Sequence, residues 1–288
     1  MLIIYFLLIL SVFITYFIYK ANQNTLQIKL NTISPTPFTT TDANTHYIRV
    51  LQLSDLHLEH ISITPDKLFQ KIKNQKFDII AITGDFLDRP KSIPKLESYL
   101  QVIQKLDTTY GIYAVYGNHD YKLRKKHLIK LETTLNKYKV SILRNENKWI
   151  PIGNSNGLQL IGIDDHHSKK HEISKAYEGI TDSFYRLVLT HDPNIVFQMD
   201  DYDFEYMLSG HFHGGQICWP KPYHLMKFGK LVRLNLIKGL IHYKGKIVYI
   251  SEGLGQTGIN IRVGSRPEIT VHELQITSSN APAFEKAI

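Results

Sequence analysis

Cysteine is nearly absent from this chain: Cys218 stands alone among 288 residues. A lone thiol excludes an intramolecular disulfide framework and any cysteine-rich zinc site, so a metal centre would have to be built from His, Asp and Asn. Acidic residues are outnumbered as well, 26 Asp plus Glu against 34 Lys plus Arg, giving a net charge of +8 and a pI near 9.2. Such a balance suits anionic partners, whether phosphorylated metabolites, nucleic acid or an acidic lipid surface, without choosing among them. The chain has no internal repeat and no long low-complexity tract. What it does have is 14 histidines and 43% hydrophobic residues, enough for one large or two small domains with a substantial core.

From Leu2 to Tyr19 the only residues that are neither apolar nor aromatic are Ser11 and Thr15, and this run reaches the rough 18-residue threshold for a spanning helix. The competing reading is a cleaved secretory signal, but no charged n-region precedes the run and no small-x-small site follows it. Residues 1–20 are therefore expected to be a single-pass membrane anchor. Lys20 and Lys29 follow the run and only the terminal amine precedes it, which leans the C-terminal domain toward the cytoplasm. Residues 21–47, rich in Asn, Thr and Pro, read as a linker, although Leu26, Ile28 and Leu30 alternate like an edge strand.

A repeated rhythm follows. Apolar strands are expected at Ile48 to Leu53, Phe77 to Thr83 and Ile112 to Tyr116. The intervening helices run from Thr64-Pro65 to about Gln75 and from Pro94 to Leu106, with a basic helix at about Lys122 to Tyr138. Strand, helix, strand at about 30-residue intervals is the length of a βαβ unit. The second half is mostly strands: Leu158 to Ile163, Tyr185 to Thr190, Tyr206 to Ser209, Leu240 to Tyr243, Lys246 to Ile250 and Glu268 to Leu274. Lys244-Gly245 is expected to make a hairpin turn. The expected fold is α/β, two facing mixed sheets flanked by helices, forming one domain over residues 48–276 with a flexible tail at 277–288.

Five polar clusters follow apolar strands: Asp55-Leu56-His57, Gly84-Asp85-x-x-Asp88-Arg89, Gly117-Asn118-His119-Asp120, Thr190-His191-Asp192 and Gly210-His211-Phe212-His213-Gly214-Gly215. Each alone has an ordinary explanation as a turn, a cap neighbour or a surface loop. Together they gather oxygen and imidazole donors, because strand ends of a sheet converge at one edge. Donors of this kind without thiolate favour Mn, Fe, Zn, Mg or Co over copper or iron–sulfur. A carboxylate among them can bridge two cations about 3.5–4 Å apart that activate a water for in-line attack on phosphorus.

This ordered set resembles the calcineurin-like metallophosphoesterase superfamily from about Ile48 to Leu274. The start at Ser54, the stretch from Ser209 to Gln216 and the later Ser251-Glu252-Gly253-Leu254-Gly255 with Arg262 and Pro267-Glu268-Ile269 look most like its membrane-associated bacterial branch, similar to UDP-2,3-diacylglucosamine hydrolases. The resemblance implies a two-sheet phosphoesterase fold and a centre of two divalent metal ions. It places Asp55, His57 and His213 on one metal, Asp85 as the bridge, and Asn118, His191 and His211 on the second. It makes His119 the acid that protonates the leaving oxygen or the group that steadies the transition-state charge, oriented by Asp120. Asp88 and Arg89 read as a salt-linked turn shaping their loop, with phosphate contact through Arg89 as the alternative. Phe212 stands between the last two histidines where Thr is common, so an altered pocket wall is expected there. Asp192-Pro193-Asn194 replaces the branch's usual Pro then Asp. Of the unmatched histidines, His166 and His167 are candidates for the substrate side. His46, His60, His127, His171, His224, His242 and His272 are expected at the surface or in packing.

After the last ligand motif, Trp219 to Lys238 interleaves apolar residues with Lys227, Lys230, Arg233 and Lys238. Such a segment suits a cap that touches lipid while its cations meet phosphate, or equally a core-packed crossover with solvated lysines. Trp219, Lys227 and Arg262 join Arg89 and Phe212 as candidate substrate contacts. The expected reaction is hydrolysis of a phosphodiester or pyrophosphate bond in a phosphorylated lipid or sugar-nucleotide lipid, by a monomeric membrane enzyme with no nucleic-acid partner. Soluble nucleotides or cell-wall phosphates are the alternative substrates. A metal-poor scaffold would have no need of so complete a donor set.

Overall fold

The computed structural model describes residues 1–37, 45–153, 156–180, 184–219 and 221–276. In chain order the elements are α1 Leu2–Asn24, β1 Lys29–Ile33, β2 His46–Leu53, α2 Pro65–Ile72, β3 Phe77–Thr83, α3 Ile93–Gln104, β4 Thr108–Val115, α4 Lys125–Lys137 and β5 Val140–Ile142. There follow β6 Glu146–Ile152, β7 Asn156–Gly162, α5 Ile173–Ala176, β8 Tyr185–Leu189, β9 Tyr206–Ser209, α6 Lys230–Arg233, β10 Gly239–Tyr243, β11 Lys246–Ile250 and β12 Glu268–Ile276. They form two six-stranded mixed sheets, β1-β12-β2-β3-β4-β5 and β10-β11-β9-β8-β7-β6.

The period-two alternation of each strand explains the layering. In β3, Ile79 and Ala81 enter the core between the sheets, whereas Ile80 and Ile82 enter the core under α2, α3 and α4. In β8 and β9, Leu187, Leu189, Tyr206 and Leu208 face the first sheet. Val188 and Met207 face the opposite layer, with Leu231 and Val232 of α6. Both central sets are buried on two sides, which is why these strands read as nearly continuous apolar runs. Helix α2 starts where Thr64 caps it, its Oγ1 accepting from Lys67 N at 3.2 Å, with Pro65 at the first helical position. Lys244 and Gly245, at φ 49° and 77°, turn the chain between β10 and β11.

Two strands escape sequence reasoning, β5 and β6. The first is only three residues long; the second is a polar edge strand whose Pro151 is tolerated because an edge leaves one ladder unmade. In the region expected to be a linker, α1 continues to Asn24 and β1 lies parallel to β12 at the sheet edge. Residues 38–44 of that region and the expected tail at 277–288 lie outside the described residues.

His272 ties the sheets together. Fully buried in β12, it meets Tyr206 Oη through Nδ1 at 2.9 Å and Gln52 Oε1 through Nε2 at 3.0 Å, while Gln52 Nε2 donates to Ser209 O at 2.9 Å. Burial lowers the pKa of this imidazole to about 3. The unfolded chain, with an ordinary histidine, therefore takes up the proton first. His272's contribution is complete above about pH 6.5 and is lost as pH falls toward 3, at up to ~1.4 kcal/mol per unit. Urea unfolding at pH 7 and pH 4.5 should show a shallower acid loss in His272→Gln than in wild type; equal losses would remove His272 from the acid response.

Candidate metal centre

The carboxyl ends of β2, β3, β4, β8 and β9 meet at one edge, and the chain turns sharply as each motif begins. Of the eleven described non-glycine residues with positive φ, five are candidate ligands: Asp55, His57, Asp85, His211 and His213. Left-handed backbone is costly for such residues and persists only where surrounding bonds fix it. Those bonds are present: Asp55 N donates to Gly84 O, His57 N to Asp85 O, and His211 N to both Asp55 carboxylate oxygens at 3.2 Å. Close approach also explains one glycine. A Cβ on Gly117 would lie 2.2 Å from Asp85 Oδ1.

The seven expected ligands are all buried; ligand atoms of Asp55, His57 and His213 lie within 4.8 Å of one another, as do those of Asp55, Asp85 and His191, whereas His211 gathers with His167 and Asp192. Three of the histidines have their tautomer set by a partner on Nδ1. His57 Nδ1 meets Asp88 Oδ1 at 2.9 Å, His191 Nδ1 meets Thr83 O at 2.8 Å, and His213 Nδ1 meets Gly255 O at 3.2 Å. Each Nε2 in turn faces a carboxylate: His57 at Asp85 Oδ2 (3.3 Å), His191 at the same oxygen (3.2 Å), His213 at Asp55 Oδ1 (3.4 Å). A proton on Nε2, or a cation in its place, satisfies each of these pairs, and with a cation there Nε2 would be the ligating atom. Asn118 Oδ1 and His211 Nε2 are likewise buried with no hydrogen-bond partner, and His211 Nδ1 faces His191 Nε2 at 3.2 Å.

The electrostatics agree. Burial alone would lower the pKa of His57, yet hydrogen bonds with Asp85 and Asp88 raise it to about 10. Burial works against His191 in the same way, and the charge of Asp85 holds it well above the ordinary value. Asp85 is correspondingly held well below the usual carboxylate range by His191 and His57, against its own burial. This pocket therefore stabilises positive charge beside Asp85. Burial lowers His211 to about 4 and His213 to about 3, so both present neutral imidazoles, the form that ligates a metal. The residues present thus fit a divalent metal centre.

His119 is partly exposed beside this cluster, its ring 4.7 Å from that of His57. The expected partnership with Asp120 is not what the structure shows. Asp120 turns inward and accepts from the backbone N–H groups of Asp85, Phe86, Leu87 and Gly117 at 2.9–3.4 Å, which locks the β3 and β4 loops together. The carboxylate on His119 is Asp88, whose Oδ1 lies 2.6 Å from His119 Nδ1 and also serves His57. Asp88 is thus no salt link to Arg89. Burial would raise its pKa, and the two imidazoles hold it well below the usual range. Glu59 supports it from behind, accepting from the N–H groups of Asp88 and Arg89 at 2.9 and 2.8 Å. A charged residue two places after a metal-ligand histidine was the only sequence signal for Glu59.

The expected substrate contacts separate. Phe212 is 1% exposed and packs beneath the second sheet, so it forms no pocket wall. Arg262 is fully buried and donates to the carbonyls of Glu252 (2.8 Å), Gly253 (3.0 Å) and Gly255 (2.6 Å), which shapes the loop behind His213 rather than meeting substrate. Arg89 is exposed, and Trp219 is 72% exposed. Lys227 does line the site, in a cleft of about 380 Å³ with Asn118, His119, Lys122, His167 and Phe228. Phe228 packs edge-on to His211 at 5.4 Å and stacks with His167 at 5.7 Å.

Comparison with known proteins agrees with this geometry. A family model described as calcineurin-like phosphoesterase matches residues 48–215. An uncharacterised metallophosphoesterase of Bacillus subtilis (strain 168), YkoQ, is 52% identical over 258 residues, covering 90% of this chain and 94% of that protein. The UDP-2,3-diacylglucosamine pyrophosphatase LpxG of Chlamydia trachomatis is 28% identical over 280 residues, covering 79% of this chain and 83% of that protein. With the family model spanning more than half of the sequence and the buried donors gathered where its chemistry needs them, the chain belongs to the calcineurin-like phosphoesterases and is a metal-dependent hydrolase of phosphoric esters with a dinuclear divalent centre.

Proposed function

We propose that this enzyme cleaves a phosphodiester or pyrophosphate bond in a membrane-associated phosphorylated lipid or sugar-nucleotide lipid, from an uncleaved N-terminal anchor and with its catalytic domain in the cytoplasm. The observation that carries the membrane reading is the seating of α1. Its 23 residues are long and apolar enough to cross a membrane, with mean hydropathy 2.5 and an outer surface buried against nothing in the protein. Its last turn is bound to the domain. Ala21 O accepts from Arg262 N at 2.9 Å, Asn24 Nδ2 donates to Arg262 O at 2.8 Å, and Asn22 Nδ2 donates to Asn260 O at 2.8 Å. Arg262 in turn organises the loop that holds His213. The name of the LpxG relative supports a pyrophosphate bond and an acylated substrate.

In this reading Asp55, His57 and His213 would hold one cation, Asn118, His191 and His211 the other, with Asp85 available to both. Two divalent ions bound there supply activation of a water and neutralisation of the phosphoryl oxygens. His119 delivers a proton from Nε2 to the leaving oxygen, and Asp88 stabilises the imidazolium that this requires. Lys122 Nζ lies 3.0 Å from His119 Nε2 and, as an ammonium, donates to it there, so in the proton-delivering form Lys122 turns from Nε2 to the departing oxygen and adds positive charge to it.

The full chain supplied with Mn(II) should hydrolyse bis-p-nitrophenyl phosphate, and Asp85→Ala should reduce the rate to background; undiminished activity in that variant would sink the metal mechanism. On a substrate panel, phosphorylated amphiphiles should show higher kcat/KM than free nucleotides. Equal values would remove the lipid preference and leave a soluble substrate.

A further inference from the structure

The segment from Trp219 to Lys238, for which the sequence offers two readings, has two different sides. Its inner side is a packed crossover, with Leu231, Val232 and Ile237 buried against the second sheet. Its outer side is apolar as well. Among the described residues outside α1, ten large apolar side chains are exposed, and Trp219, Tyr223, Met226, Leu234 and Leu236 are five of them. No acidic residue stands between Glu205 and Glu252. Lys221, Lys227, Lys230 and Arg233 are exposed, and none of the four is ion-paired among the described residues. A cluster of exposed apolar groups among unneutralised cations marks a surface that something covers.

Both ends of the segment are pinned to the strip of chain that holds α1. Cys218 N donates to Val263 O at 2.8 Å, and Lys238 Nζ donates to Gly264 O at 2.9 Å. The same strip binds the last turn of α1 through Asn260 and Arg262, and it carries Ile259, which is 65% exposed. We infer that this face lies on the membrane surface beside α1, its apolar side chains in the boundary between head groups and acyl chains and its cations on anionic lipid phosphates. The inference rests on the anchor reading above and goes beyond it, since the domain itself makes a second contact with the bilayer. Continuity with the root of α1 places the face at the right level, and its charge selects the lipid. Trp219 and Tyr223 suit that boundary because each joins an apolar ring to a polar tip. Cations interleaved with apolar groups are the pattern that binds anionic interfaces. At its middle the segment reaches the metal centre, where Phe228 packs on His211 at 5.4 Å.

The two tryptophans of the chain are the reporters, with the full chain reconstituted in vesicles of phosphatidylcholine and phosphatidylglycerol. Trp149→Phe isolates Trp219, and Trp219→Phe isolates Trp149, which lies on the edge strand β6. Lipid brominated on the acyl chains close to the head group should quench Trp219 about two-fold and leave Trp149 unquenched. Lys221→Glu/Arg233→Glu should lose about half of that quenching, because anionic head groups repel the reversed charges. An unquenched Trp219 overturns the inference and leaves the face to a protein partner, and equal quenching of both tryptophans overturns it too. Quenching that ignores the charge reversal removes the cations from the lipid phosphates. Alkaline carbonate washing of the same vesicles tests the anchor by itself. A chain that washes off removes the anchor reading; a chain that stays, with Trp219 unquenched, sinks only the second contact.

Discussion

Asp88→Asn should lower kcat on bis-p-nitrophenyl phosphate by about 10²- to 10³-fold at saturating Mn(II), and should raise the metal concentration for half-maximal activity by roughly ten-fold or more. Both effects come from one oxygen. Asp88 Oδ1 receives His57 Nδ1 at 2.9 Å and His119 Nδ1 at 2.6 Å, so it sets the tautomer of a metal ligand and stabilises the charged form of the acid. Asparagine keeps the size and one acceptor but loses the negative charge that favours the His119 imidazolium. Metal titrations at fixed substrate separate the two roles. A shifted metal dependence with unchanged kcat would confine Asp88 to His57. No change in either would return it to the loop-shaping turn that the sequence suggests.

Neighbouring residues of the β4 loop should fail in different ways. His119→Ala should retain bound metal and lose turnover by about 10²- to 10⁴-fold, because the imidazole stands outside the ligand cluster and its function is proton delivery. Asn118→Ala should lose metal instead, since its Oδ1 is buried with no partner inside the protein. Metal content by mass spectrometry, measured beside the rates, checks the pair. Equal metal loss in both variants would mean that His119 is needed for the centre to assemble and would remove its separate role.

The sheets and the donor set were legible because their signals are local. Ile79, Ile80, Ala81 and Ile82 state a doubly buried strand in one run, and Asp55-Leu56-His57 or His211-Phe212-His213 place donors at strand ends where convergence is automatic. Direction was not legible. Once the backbone turns left-handed at Asp85, sequence neighbours no longer predict who faces whom, so Asp120 points back to the N–H groups of residues 85–87 while Asp88 reaches His119 from 31 positions away. Arg262 and Phe212 misled for a related reason: a guanidinium can serve carbonyls as readily as phosphate, and an aromatic ring between two ligands can be the inner side of its turn. His272, expected at the surface or in packing, is in packing, buried on β12.

The seating of α1 has a mechanical meaning. A helix of 23 residues is about 35 Å long, close to the thickness of a bilayer's hydrocarbon core, and it reaches the domain with no slack between Ala21 and the Arg262 loop. As the anchor proposed above, it would act as a strut rather than a tether, and would hold the mouth of the cleft at one height above the head groups, so that bonds at that depth would come within reach and those farther out in solution would not.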